Sequence, residues 1–383
     1  MIRSCPVSRF PDVSTAGAAV PASIFARLRE HLARFPGDVI PLQIGDTHLA
    51  PPARLDEVAW AEIAVGDLYA YGAPGGWGPL VEAIAEKAGA KNRVAVTSAG
   101  IQIAVGATHA LSCAVQALCD PGDELILMTP HWPLIRGIAL GFGVIPVEVP
   151  YGASIEDAIT PRTSAIYLAT PNNPDGAMLP AAELAAIAEL AARRNLWLVS
   201  DEVYEDYGYD AEHTSLASLP GAAERTVTVF SFAKSYAQAG LRVGYALGPD
   251  GVIATMRKLV NHSVYNVPVA MQRLALGAIR GGGPFLVHAK DSYRLARDRA
   301  RARLVAPAAL PAGGAYLWVD FRRWTGDDCM PVLEQCAAAG VLLAPGSAFG
   351  AACAGWARLC FTGVPADRLD EGIDRINAVL GTL

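Results

Sequence analysis

The chain has 383 residues, 52% hydrophobic and 18% charged, with a net charge of −6. That composition fits a soluble globular protein with room for a large core, and its acid excess leaves no basic footprint for nucleic acid. The longest apolar runs stay short of the roughly 18 residues that cross a membrane.

The first stretch, MIRSCPVSRFPDVSTAGAAV, carries Asp12 and two prolines where a secretory signal needs an unbroken apolar segment. The seven cysteines form no CxxC pair, and His, Cys and acids fall at no metal-ligand spacing. The expectation is a cytoplasmic protein with reduced thiols, no catalytic metal and no membrane partner. Residues 1–45 hold no sheet-forming run and are expected to pack against the C-terminal part. From residue 76 helix-like and strand-like runs alternate. GGWGPLVEAIAEKAG and ALSCAVQAL read as helices, ELILM (124–128) as a buried strand, PLIRGIALGFG as helix, and VIPVEV and AIYLA as strands. AAELAAIAELAARRN is an amphipathic helix, LWLVS a strand ending at Asp201, and TVTVFSF and RVGYAL are strands flanking Lys234. This alternation predicts an α/β domain over 46–280, a mostly parallel sheet between helices. After GGGP the pattern changes to a long charged helix, AYLWVD, a short helix, ARLCF and a final helix, predicting a small α+β domain over 281–383.

Ligands of open parallel sheets sit beyond the carboxyl ends of the strands. Trp132, Asn173, Asp201, Ser231 and Lys234 all follow strands. Lys234, among small residues with Arg242 nearby, suits an amine that forms a Schiff base with an aldehyde cofactor. Asp201 suits a pyridine nitrogen that must stay protonated. Gly106, Ala107 and Thr108 open a helix, where free N–H groups favour an anion, and Ser231 and Arg242 add donors. Trp132 offers a ring face, while Asn173 and Tyr204 offer donors to a phenolic oxygen. Arg358, in the apolar strand WARLCF, is either paired or available to a carboxylate. Each has a structural reading when taken singly: Lys234 snorkels, Arg242 is ion-paired, Asp201 caps a turn, Trp132 is core, and NNPDG is turn chemistry.

In order along the chain, YGAPGGWGPLVEAIA, GATHAL, DPGDELIL, TPHWP, TPNNPDG, SDEVY, SFAKSYAQAGLRVGY, APGSAFG and WARLCF resemble the class I/II pyridoxal-phosphate-dependent aminotransferases of fold type I, from about residue 41 to the end. The resemblance implies a seven-stranded-type sheet and pyridoxal 5′-phosphate as cofactor. It makes Lys234 the Schiff-base lysine and proton shuttle, Asp201 the partner of the ring nitrogen, and Trp132 the stacking ring. Tyr204 and Asn173 would hold the phenolic oxygen, and Gly106, Ala107, Thr108, Ser231 and Arg242 the phosphate. Arg358, Asn173 and the Gly45 backbone would bind the substrate carboxylate. Tyr71 would reach the cofactor phosphate of a second subunit, implying a homodimer. Asp175 departs from the pattern, standing where the turn usually has threonine. No second arginine for a dicarboxylate side chain can be located, and His48, Tyr69 and His131 are better read as packing or surface residues than as pocket lining.

The reading is therefore a ping-pong transaminase that moves the amino group of a neutral or aromatic L-amino acid to a 2-oxo acid. The alternative on the same scaffold is a pyridoxal-phosphate-dependent lyase or a cyclising, amino-acid-modifying synthase, since fold does not decide this. A dinucleotide oxidoreductase is disfavoured because no G-x-G-x-x-G follows a strand. A DNA-binding regulator would need an added module that residues 1–45 are too short to supply.

Overall fold

The computed structural model describes residues 13–22, 28, 35, 37–58 and 60–383. Most of the segment before residue 37, including Asp12, lies outside the described residues. The strands are β1 (Ile40–Pro41), β2 (Ile101–Ala104), β3 (Glu124–Thr129), β4 (Ile145–Pro150), β5 (Thr163–Ala169) and β6 (Trp197–Asp201). They continue with β7 (Thr226–Ser231), β8 (Gly244–Leu247), β9 (Tyr316–Asp320), β10 (Val341–Leu342), β11 (Ala344–Pro345) and β12 (Trp356–Cys360).

A seven-stranded sheet runs in the order β2-β8-β7-β6-β5-β3-β4. Its pairs are parallel except those of β8, which is antiparallel to both β2 and β7. The inner strands ELILMT and TVTVFS are buried at every residue, as expected when helices cover both faces. Helices Gly106–Leu118 and Asp250–Ser263 contribute Leu111, Val115, Ile253 and Met256 to one apolar layer. Helix Ala181–Arg194 contributes Leu184, Ile187 and Ala191 to another. β4 tolerates Pro146 and Pro150 because it lies at the edge, paired on one side only.

Two segments differ from the sequence expectation. SAGIQIAV carries no marked signal, yet its IQIA is β2, with Ile101, Gln102 and Ile103 buried. A four-residue strand whose polar member is also buried shows no alternation to read. The stretch before residue 45 likewise contains a strand, because β1 pairs in parallel with β10. Leu28, Ile40 and Leu42 pack there with Leu317, Leu333, Val341 and Ile373. The GGGP break is a single residue, Gly282, between helices Val269–Gly281 and Gly283–Arg303.

β9, β11 and β12 form a three-stranded antiparallel sheet in the order β11-β12-β9. Helix Ala366–Leu380 packs with its core through Leu369, Ile373, Ile376 and Leu380, a helical 3.6-residue stripe. Gly372 lies on that stripe because a Cβ there would stand 3.0 Å from Leu42 Cδ1 and 3.2 Å from Ile40 Cγ2.

Behind β7 and β8 a buried ion pair is fully satisfied. Lys87 Nζ donates to Glu205 Oε1 (2.5 Å), Asn92 Oδ1 (3.1 Å) and Tyr245 Oη (3.0 Å). Burial opposes both charges, but the attraction of Lys87 and Lys91 and the hydrogen bonds outweigh it and hold the Glu205 carboxyl at about 2. Removing one partner strands a buried charge, so Lys87→Met is expected to cost about 3–5 kcal/mol in denaturant unfolding. Replacing both partners, Lys87→Met with Glu205→Leu, is expected to recover most of that loss; a double variant as unstable as the single would contradict the ion-pair account.

Candidate active site

A cavity of ≈ 220 Å³ opens beyond the carboxyl ends of β5, β6 and β7. Gly45, Ala107, Thr108, Trp132, Asn173, Asp201, Tyr204, Ser231, Lys234, Arg242 and Arg358 line it, together with Tyr316. Strand ends explain the convergence: Asp201 is the last residue of β6, Ser231 the last of β7, and Trp132 and Asn173 lie just past β3 and β5. Gly106 does not line the cavity but lies against Arg242, which does. Tyr71 does not line the cavity; it is 83% exposed, with its ring against Tyr265 at 4.6 Å between centroids.

The elements expected to bind an anion crowd one corner. Helix Gly106–Leu118 begins after Val105 with no side-chain cap and no acidic residue in its first turn, so its positive end is uncompensated. Gly106 takes φ 75°, and a Cβ on it would stand 2.5 Å from Arg242 Nη2, so the guanidinium lies directly on the helix start. Arg242 donates to the Ala239 carbonyl (3.0 Å), and among the described residues no carboxylate pairs with it. Ser231 Oγ accepts from Ala233 N (3.1 Å) and caps the short helix Phe232–Ser235, which carries Lys234. Lys234 Nζ donates to the carbonyl of Gly45.

Asp201 is 5% exposed. Its Oδ2 accepts from Tyr167 Oη (2.9 Å) and its Oδ1 from Val203 N at a long 3.4 Å. Burial pushes its carboxyl up to about 6, with Tyr167, Val203 N and Lys234 opposing and Glu202 adding to the rise. Tyr204 Oη lies 2.5 Å from Tyr316 Oη, and burial pushes the Tyr204 phenol well above its ordinary range.

Arg358 is 7% exposed. Its Nη1 donates to Asn173 Oδ1 (2.9 Å) and its Nη2 to the Gln43 carbonyl (2.6 Å), while Nε has no partner. The guanidinium rests over the rings of Tyr316 (4.2 Å) and Phe349 (5.1 Å). Among the described residues it forms no ion pair. A buried cation held by neutral acceptors and two rings is suited to receive an anion.

Asp175 keeps the turn after β5: its Oδ1 accepts from Ala177 N (3.1 Å) and from Asn172 Nδ2 (2.9 Å). His131 is wholly buried, with Nδ1 against the Trp132 carbonyl (3.0 Å), His48 Nδ1 meets the Thr362 carbonyl (3.0 Å), and Tyr69 is exposed; none lines the cavity. Tyr316, Gln43 and Tyr167 escape a reading of the sequence. Tyr316 reaches the cavity through pairing in the small sheet, and Gln43 meets Arg358 through its carbonyl just past β1, neither of which a local pattern reports. Tyr167 has a readable signal, a hydroxyl inside the apolar strand AIYLA.

Comparison with known proteins decides the family. Residues 37–376 match the model of aminotransferase class I and II. The chain belongs to that family. It is 34% identical over 359 residues to the aspartate/prephenate aminotransferase of Thermus thermophilus, covering 90% of this chain and 91% of the relative. It is also 34% identical to the arginine–pyruvate transaminase of Pseudomonas aeruginosa, covering 88% and 89%. The structure of a Thermus thermophilus aspartate aminotransferase variant superposes with a TM-score of 0.89 at 32% identity, over 96% of this chain and 99% of that one. The chain is thus a fold type I aminotransferase, an enzyme that moves an amino group between an amino acid and a 2-oxo acid. Among the described residues no helix is long and apolar enough to cross a membrane.

The raised Asp201 carboxyl sets a pH-dependent cost. The fold favours the protonated form, so stability from this group is present below its ordinary 3.8 and lost as pH rises through about 6. Over that window the loss is ~3 kcal/mol. In the ligand-free protein Asp201→Asn is therefore expected to raise the melting temperature at pH 8 and to bring little gain at pH 4. A variant less stable than wild type at pH 8 would contradict the assignment.

Proposed function

We propose that this transaminase uses pyridoxal 5′-phosphate, works as a homodimer and takes its amino group from neutral or aromatic L-amino acids. The observation that carries the cofactor reading is the contact of Arg242 with the uncompensated positive end of helix Gly106–Leu118. Two like charges in contact are unfavourable alone and become favourable around a phosphate. The rest of the donor set fits the same group. Ser231 and Thr108 add hydroxyls at the phosphate, Trp132 offers a ring face, and Tyr204 and Asn173 face the phenolic oxygen. Asp201 supplies a carboxylate for the ring nitrogen.

When bound, pyridoxal phosphate supplies an aldehyde carbon that takes up the amino group and a protonated ring that accepts electrons. Arg358 binds the substrate carboxylate with its fork, and Asn173 orients that fork by accepting from Nη1. This fixes the direction of the substrate Cα–H bond. Lys234 Nζ, held at the Gly45 carbonyl, would be the base that takes a proton from the substrate Cα and hands it on once the cofactor is in place. The buried walls formed by Tyr204, Tyr316 and Asp201 keep water from that transfer.

Substrate choice rests on charge. The cations among the described lining residues are Lys234, Arg242 and Arg358, which serve the aldehyde, the phosphate and the substrate carboxylate. That leaves no described cation for a side-chain carboxylate. The relatives are named for aspartate and prephenate in one case and for arginine in the other, so the scaffold serves chemically different donors. The exposed Tyr71–Tyr265 ring pair supports a surface covered by a second subunit, with Tyr71 reaching its cofactor.

The test is the visible spectrum of the pyridoxal-phosphate-loaded protein with each of the twenty amino acids and no acceptor. Bleaching by neutral or aromatic donors, without ammonia release, is the expected result. Bleaching by aspartate or glutamate alone would overturn the substrate reading, and a protein that takes up no pyridoxal phosphate would overturn the cofactor reading. Arg358→Ala is expected to weaken amino-acid binding by about 2–5 kcal/mol, read as a rise in KM with pyridoxal phosphate affinity retained. Loss confined to kcat would contradict the carboxylate role.

A further inference from the structure

Tyr167 lies in β5 between Ile166 and Leu168, and all three are 0% exposed. It packs with Leu127, Val199 and Val229, where a phenylalanine would bury the same ring without a polar atom. A buried phenol needs a hydrogen-bond partner. The partner is Asp201 Oδ2, 2.9 Å from Tyr167 Oη. The neighbouring strands set this geometry through their register, which pairs Tyr167 with Val199 and Ala169 with Asp201. The other donor to the carboxylate, Val203 N, is distant at 3.4 Å. Tyr167 is outside the cavity lining, so it meets Asp201 from behind.

We propose that Tyr167 is a positioning residue that holds the Asp201 carboxylate ionised and aimed at the cofactor's pyridine nitrogen. This role deepens the pyridoxal phosphate reading and rests on it. A donor bound to the charged form of an acid favours that form, and deleting the donor makes the acid a stronger base. Without Tyr167, Asp201 competes better for the proton that the pyridine ring must keep, and the ring loses part of its capacity to accept electrons. The phenol is suited to the task because burial and the neighbouring Asp201 push its own ionisation well above the ordinary range, so it stays a donor.

The other groups facing Asp201 act in known directions. Lys234 attracts its charge from the cavity side, and Glu202 repels it from the next residue. Glu202 is itself engaged by Ser200 Oγ (2.8 Å), Leu216 N (3.0 Å) and His213 Nε2 (3.0 Å). Tyr151, past the end of β4, points its hydroxyl at the Ala169 carbonyl (3.5 Å) rather than at Asp201. Tyr167 is the side chain in this set that donates to the carboxylate.

The test is Tyr167→Phe, which removes one oxygen and keeps the ring. Pyridoxal phosphate affinity is read by absorption across pH, alongside kcat, KM and thermal melting. The expected result is a loss of about ten- to a hundredfold in cofactor affinity and in kcat, with KM for the amino donor retained. The acid limb of the affinity profile is expected to move up by about one to two pH units, because Asp201 without its donor takes a proton at higher pH. In an Asp201→Ala background the same substitution is expected to change cofactor affinity no further. The Tyr167 role is overturned by wild-type affinity and an unmoved acid limb in Tyr167→Phe. It is equally overturned by an effect that persists in full in the Asp201→Ala background, which marks a packing defect. A wild-type protein that takes up no pyridoxal phosphate overturns the functional reading instead.

Discussion

A guanidinium resting on the positive end of a helix is the contact around which this site is arranged. Arg242 and the first turn of helix Gly106–Leu118 repel one another, and glycine suits their junction because its φ of 75° lies in the left-handed region. β8 sustains the contact: a Cβ on Gly244 would lie 2.7 Å from Ala107 N, so strand and helix start touch through backbone alone. Since β8 pairs with β7, the same register places Ser231 and Lys234 beside the helix start. In the proposed reading, this one electrostatic conflict sets where the phosphate would go and, by distance along the strands, where the amine and the carboxylate stand relative to it.

The chain treats its buried charges in two contrasting ways. Behind the sheet, Lys87 and Glu205 neutralise one another, and both Glu205 oxygens accept hydrogen bonds, from Lys87 and Asn92. At the cavity, among the described residues, Arg358, Arg242 and Asp201 have no opposite charge in contact. Completed pairs hold elements together, whereas incomplete ones keep free energy in reserve for a ligand. The two sets are joined through one short run, because Asp201 ends β6 and Tyr204 and Glu205 lie in the turn that follows it. A ligand that supplies a phosphate, a ring nitrogen and a carboxylate completes the three open positions together.

Much of this was legible in the residues. Apolar runs announced β3, β5 and β6, and the β-branched stretch TVTVFS announced β7, whose threonines are buried as well because the strand is covered on both faces. The polar and aromatic residues at the carboxyl ends of those strands, Trp132, Asn173, Asp201, Ser231 and Lys234, all line one cavity. The residues that escaped did so for physical reasons. β1 and β2 are too short for periodicity to register, and their strand character comes from partners far along the chain. Tyr316 and Gln43 meet the site only because β9 and β1 pack around Arg358, a tertiary event without a local signature. Tyr167 carries a hydroxyl into an apolar strand, but the strand alone does not show which acid it meets.

The central claim is that Lys234 is the amine that meets the cofactor's aldehyde. Its most direct test is borohydride reduction of the pyridoxal-phosphate-loaded protein, followed by peptide mapping of the covalent tag. The account predicts one modified peptide, containing SFAKSY, with the tag on Lys234 and absent from Lys87. A tag on another lysine, or a loaded protein that reduction leaves unmodified, would contradict it.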